Sequence, residues 1–175
     1  MKRPEGWHVS VRREDVPETG QQHLEIEADE EVRARLAILA GVPAVPQLGI
    51  SADVTRHGEG LRAAGRLTAS VTQACVVTLE PIENTIDEPF DVLFLPQDVA
   101  GAAPAGRGPE EVDDTREPLV NGAADLGAVA TEFFLLGIDP YPRRPDAVFS
   151  GPAEDRASDG PFASLSRLKG QDGKR

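Results

Sequence analysis

Cysteine is almost missing from this chain, with Cys75 the only one in 175 residues. A single thiol excludes an intramolecular disulfide, and with it the stapled class of small secreted domains, so a reducing cytoplasm is the expected setting. Aromatic residues are scarce too, at 5% against 39% hydrophobic overall, and a core has to be assembled mainly from Val, Leu, Ile and Ala. Cations are in deficit: 18 Lys and Arg face 30 Asp and Glu, a formal charge of −12. That field opposes a phosphate backbone, whose binding depends on Lys and Arg displacing condensed counterions. Broad binding to naked nucleic acid is disfavoured, whereas a basic protein partner, or a local basic patch on an acidic body, fits the charge. No apolar run approaches the roughly 20 residues of a membrane span. The stretch from Met1 to Val11 has Lys2 and Arg3 but no signal-peptide core, so neither membrane insertion nor export is expected.

What is present reads as short alternating strands and two helices. Trp7, Val9 and Val11, then Leu24 and Ile26, recur with the period of two of half-buried strands, separated by a polar turn from Glu14 to Gly20. Asp29 is placed to cap a helix that carries Val32, Leu36 and Leu39 on one face and stops at Gly41 and Pro43, with Glu31 and Arg35 spaced for a surface ion pair. Leu48, Ile50, Ala52 and Val54 alternate, a Gly-containing turn follows at His57 to Gly60, and alternation resumes from Leu61 to Val71, which predicts a β-hairpin with a bulge at Gly65. A further strand follows Pro81, with Phe90, Val92 and Phe94 on one face, and ends at Pro96. Gln97 to Asn121 is rich in Gly, Ala, Pro and carboxylates and reads as a mobile acidic loop. Asp125 is placed to cap a second helix with Leu126, Val129, Phe133 and Leu136 on one face, closed by Pro140. The expected fold class is therefore α+β: one domain over residues 5–149 with a twisted, mainly antiparallel sheet and two helices, followed by a flexible tail over 150–175.

Signatures of catalysis are wanting. There is no G-x-S-x-G elbow, no P-loop and no H-E-x-x-H helix, and Gly58, Gly60 and Ala63 mimic a dinucleotide fingerprint only where a strand, not a helix, follows. His8, His23 and His57 fall at solvent-facing positions of three separate β segments, so neither a zinc site nor any other metal site is expected. The loop carboxylates lack a rigid frame for a cation. Cys75 ends the long alternating arm on the face of Leu67 and Val71 and reads as a small buried hydrophobe of structural use, with no basic neighbour in sequence. No catalytic residue, cofactor or small-molecule substrate is expected.

Three stretches in order carry a resemblance. They are Gln73-Ala74-Cys75-Val76-Val77-Thr78-Leu79-Glu80-Pro81 followed by Phe90; Asp125-Leu126-Gly127, opening a helix that ends in Asp139-Pro140-Tyr141-Pro142-Arg143; and Pro161-Phe162-Ala163 with Leu165, Leu168 and Lys169. Together they resemble the YceD family, also called DUF177. The resemblance implies a non-enzymatic bacterial and plastid factor needed for accumulation of the large-subunit (23S) ribosomal RNA. Many members carry Cys-x-x-Cys where this chain has Cys75 and Thr78, which removes a two-thiolate metal or redox role here. Relatives often have an acidic residue where this chain has Ala128, so the helix start rests on Asp125 without a capping-box partner.

On that reading the partner is a ribosomal protein or a large-subunit precursor. The apolar island of Phe162, Leu165 and Leu168, flanked by Arg167 and Lys169, is a candidate docking motif over residues 161–169 that folds on contact. Tyr141 with Arg143 and Arg144 offers one stacking ring beside two guanidinium groups, a candidate for local RNA or partner contact. Cys75, Asp125 and Leu126 are assigned structural roles. Two other readings stay open: an acidic binding module unrelated to ribosomes, and a metal-dependent RNA-processing enzyme using the loop carboxylates.

Overall fold

The structure, a computed structural model, describes residues 6–96 and 115–149. Most of the acidic loop and the entire tail, including Phe162, Leu165, Leu168 and Lys169, lie outside the described residues. In chain order the elements are β1 (Ser10–Arg12), a 3-10 turn (Arg13–Asp15), β2 (Gln22–Glu27), α1 (Glu30–Ala40), β3 (Ala44–His57), β4 (Gly60–Ala74), β5 (Pro81–Leu95), β6 (Thr115–Pro118), β7 (Ala123–Asp125) and α2 (Leu126–Gly137). The main sheet has five strands in the order β2-β3-β4-β5-β6, antiparallel throughout except for the parallel β5–β6 pair. β1 and β7 form a separate antiparallel pair. The fold class is thus α+β, with a mainly antiparallel sheet and two α-helices among the described residues.

The alternation read from the sequence becomes two unlike sheet faces. Val54, Leu61, Leu67, Val71, Val92 and Phe94 point to one side, where they share a single buried cluster with Val32 and Leu36 of α1 and Leu126, Val129 and Phe134 of α2. Each such large side chain withdrawn from water contributes about 1.5–3 kcal/mol. The other face carries charged and small residues, among them Asp53, Arg62, Arg66 and Asp87, and stays open to solvent. α1 begins as its sequence dictates: the Asp29 carboxylate accepts from the Val32 N–H at 2.8 Å, and Arg35 reaches Glu31 at 3.0 Å.

Several local expectations need correction. Trp7 to Val9 is not paired as a strand; β1 starts only at Ser10, because the side chains of Thr131 in α2 and of Asp125, its N-cap, take the Trp7 and Val9 N–H groups in place of a partner strand. Val16, inside the polar turn, is fully buried, and its carbonyl accepts from Arg56 Nε at 2.7 Å. There is no bulge at Gly65, which sits in register between Ala52 and Phe90; a Cβ there would overlap the Ser51 carbonyl, so the residue permits close strand approach. The irregularity lies instead between Ala44 and Gln47 of β3. The acidic loop ends earlier than Asn121, since Thr115–Pro118 pairs with Val92–Leu95 and Val120 bridges Ala123 across a tight Asn121-Gly122 turn. Thr-Arg-Glu-Pro has no apolar alternation, so this strand is made by the free edge of β5 and not by its own pattern. In α2, Phe134 is fully buried and Leu136 is exposed, because the helix is apolar on most sides and turns its Gly127 and Thr131 flank toward the Trp7–Val9 segment.

Candidate partner-docking surface

Two of the three motif stretches meet at one end of the sheet. Where β4 stops, the chain makes a turn over Cys75–Glu80: the Cys75 N–H donates to the Glu80 carbonyl at 2.9 Å and the Leu79 N–H to the Cys75 carbonyl at 2.8 Å. Closing it needs Leu79 in the left-handed region, at φ 62°. The segment after α2 lies against this turn. Val76 donates its N–H to the Pro142 carbonyl at 2.9 Å, and the buried Gln73 side chain donates to the Asp139 carbonyl at 2.8 Å while accepting from Asn84. Asp139 folds its own segment by accepting from the Tyr141 N–H at 2.8 Å.

This frame presents apolar side chains outward. Val76, Leu79, Tyr141, Val148 and Phe149 are all exposed, Leu79, Tyr141 and Val148 by more than three quarters. Val76, Leu79 and Tyr141 sit on the two hydrogen-bonded segments and Val148 and Phe149 follow the second one along the chain, and exposed apolar groups of this kind are what partners cover. Of the residues singled out from sequence, Cys75, Tyr141, Arg143 and Arg144 come together here, although more than sixty positions separate Cys75 from the arginines. The arginines are occupied: Arg144 grips both Asp146 oxygens at 3.0 and 2.9 Å and Glu80 at 2.6 Å, and Arg143 donates to the Ala147 carbonyl at 3.1 Å. Asp146 and then Glu80 hold the Arg144 guanidinium even more firmly charged than usual, and Arg144 in turn draws the Asp146 carboxyl below its ordinary range. Tyr141 alone keeps its ring free for stacking.

Cys75 is fully buried but stands apart from the main hydrophobic cluster. Donors surround its sulfur: the Thr78 hydroxyl first, then the backbone N–H groups of Arg144, Thr78 and Val77, which outweigh burial and bring the thiol from 9.0 down to about 6. Hydrogen bonds do this without a cation. Sequence reading missed Thr78 as a donor, and it missed Val76, Leu79, Val148 and Phe149 as surface residues. A run such as Val76-Val77-Thr78-Leu79 looks like more strand, and only the turn at Leu79 turns its side chains outward.

The opening of the second stretch, Asp125-Leu126-Gly127, is a clamp with a different role. Asp125 accepts from the Ala128 N–H at 3.1 Å as helix cap, and from the Val9 N–H at 3.0 Å, with His8 at 2.6 Å from its second oxygen. Leu126 is buried and its N–H donates to the Val9 carbonyl at 2.8 Å. A Cβ on Gly127 would come within 2.6–2.7 Å of the Val9 nitrogen and the Trp7 carbonyl. Thr131 completes the clamp, accepting from the Trp7 N–H at 3.0 Å and donating to the Gly127 carbonyl at 2.8 Å.

Among the described residues no group of three or more His, Cys, Asp or Glu is arranged to hold a metal ion, and no helix is long and apolar enough to cross a membrane. Searches of curated proteins and of solved structures each give no match. A family model does match, over residues 63–169, and it takes in the Cys75 turn, the clamp and the segment from Asp139 onward. That span is well over half of the chain, and the protein belongs to the family described as large ribosomal RNA subunit accumulation protein YceD.

Proposed function

We propose that this chain is a non-enzymatic factor in large ribosomal subunit biogenesis, and that it supports accumulation of the 23S rRNA by binding a ribosomal protein or a pre-ribosomal intermediate. The family's description supplies the process. The observation that carries docking as the means is the exposed apolar group Val76, Leu79, Tyr141, Val148 and Phe149, built on two segments that both fall inside the family match. The net charge of −12 selects for a cationic partner and raises its encounter rate. Phe162, Leu165, Leu168 and Lys169 follow the last described residue, Phe149, by 13 to 20 positions, and in this reading they extend the same contact when the partner binds. The work is done in the cytoplasm.

Affinity capture of the tagged full chain from cells, at low and at high salt with proteins and RNA both identified, tests this. Enrichment of large-subunit components is expected, with a Leu79→Ser, Tyr141→Ser double variant recovering markedly less. Capture of unrelated proteins alone would replace ribosome biogenesis by a general binding role.

A further inference from the structure

The opposite end of the sheet holds a site of the other sign. A cavity of about 390 Å³ is lined by Arg12, Arg13, Glu14, Arg56, Asn121 and Gly122. Three guanidinium groups and one carboxylate share it, on a chain whose formal charge is −12. Such a cluster costs self-repulsion, and the fold holds it in place largely through main-chain oxygens. Arg13 Nη2 donates to the Gly58 carbonyl at 3.0 Å, and Arg56 Nε donates to the Val16 carbonyl at 2.7 Å. Carbonyl acceptors orient a guanidinium without cancelling its charge.

The carboxylates nearby compensate little. Arg13 has no carboxylate within ion-pair range among the described residues, and its Nε–H is buried without an acceptor. Glu18 stands 3.6 Å from Arg56 on a side chain 87% exposed, and Glu14 meets Arg12 at 3.1 Å on one 72% exposed. The Arg12–Glu14 pair, exposed on both sides, is worth at most about 1 kcal/mol, whereas in the Arg56–Glu18 pair only the glutamate is open to solvent. On the open sheet face the arginines are spent differently: Arg62 pairs with Asp91, and Arg66 pairs with Asp87 at 2.6 Å. Of the three cavity guanidinium groups, Arg13 is the one with no carboxylate partner among the described residues, and Arg12 and Arg56 each have one.

We propose that this cavity binds backbone phosphates of single-stranded RNA. Planar guanidinium forks match phosphate oxygens two at a time, and an anion here relieves the mutual repulsion of Arg12, Arg13 and Arg56. The cavity takes one or two phosphates, so the contact is local and salt-sensitive, and it does not require the whole acidic surface to face RNA. The inference rests on the assignment to large-subunit biogenesis and adds to it a direct, short RNA contact at the end of the sheet remote from the protein-docking surface.

The test uses the full chain and a fluorescein-labelled oligouridylate of about ten nucleotides, followed by anisotropy at about 50 mM salt and upward. An Arg12→Gln, Arg13→Gln variant should bind about tenfold more weakly, with the slope of log affinity against log salt reduced by about 1.4, or about 0.7 for each lost phosphate. An Arg62→Gln, Arg66→Gln variant removes the same charge from the open face and should bind within about twofold of the parent. Unchanged melting of the Arg12, Arg13 variant excludes unfolding as the cause; an Arg12→Lys, Arg13→Lys variant, which keeps charge but loses the forks, should fall between it and the parent. Equal weakening by both glutamine variants, no binding by the parent, or inorganic phosphate competing with no loss of bound oligouridylate would overturn the site. If the parent fails to bind RNA yet still captures large-subunit proteins, the cavity is wrong and the biogenesis reading stands. If capture yields no large-subunit component, the reading itself falls.

Discussion

The clamp around Asp125 and the turn around Cys75 are both motif regions of one family match, yet they spend their polar groups in opposite ways. In the clamp the polar groups satisfy one another: one carboxylate serves a helix cap and the Val9 N–H, one hydroxyl serves the Trp7 N–H and the Gly127 carbonyl, and Gly127 leaves no room even for a methyl group. At the turn the hydrogen bonds form a frame whose effect is to hold Val76, Leu79 and Tyr141 out in solvent. The first motif satisfies itself and keeps the fold, and the second, which leaves apolar surface in solvent, is where we propose that a partner docks.

The contrast is broken most severely at the clamp. Gly127→Ala drives a methyl group into main chain that cannot yield as a side chain would, and should cost about 3 kcal/mol of stability, read as a lower urea midpoint at unchanged slope. A loss under about 0.5 kcal/mol would mean that the Trp7–Val9 segment is not held as described.

The turn answers to pH instead. A thiol near 6 in the folded chain and near 9.0 in the unfolded one makes the unfolded state bind the extra proton between those values, so stability rises with pH across that window. The contribution is complete above about 9 and is lost as pH falls through about 6. Cys75→Ser should flatten this rise, measured as urea midpoints under reductant from pH 6 to 9. His23, raised by Asp53, contributes with the opposite sign, stabilising below 6.5 and fading as pH climbs. It is present in both proteins and cancels from their difference. Identical pH profiles would show that Thr78 and the backbone donors do not hold a thiolate.

The smallest effect on stability is expected at Leu79. Leu79→Gly relieves a left-handed residue at the cost of chain freedom, and stability should stay level or rise by about 0.5 kcal/mol. Recovery of large-subunit components should nevertheless drop. A substitution that leaves the fold alone and weakens capture sharpens the distinction between fold-keeping and partner-facing motifs; undiminished capture would remove Leu79 from the contact.

Legibility followed locality. The α1 cap at Asp29, the Glu31–Arg35 pair, the long hairpin and the strand ending at Pro96 each depend on spacing within a few residues, and the structure has them where spacing puts them. β6 was illegible because Thr-Arg-Glu-Pro has no period of its own and pairs only because Val92–Leu95 offers an edge. Leu136 was misplaced because an apolar helix does not announce which side it buries. The arginine cavity was invisible for a similar reason, since Arg12–Arg13, Arg56 and Asn121-Gly122 are brought together by three chain segments that no motif links.

The amino-acid sequence by itself settled the charge, the α+β class, the presence of the long hairpin and both helix starts, since these follow from composition and from neighbours along the chain; the hairpin strands run further than their alternation, over Ala44–His57 and Gly60–Ala74. Only the tertiary structure decided that Cys75 lies among donors from Thr78 and Arg144, that Asp125 fastens the start of the chain, and that apolar groups gather at one end of the sheet and arginines at the other. Apart from the Thr78 donor, those are contacts between residues tens of positions apart, and their energies depend on distances that no local pattern encodes.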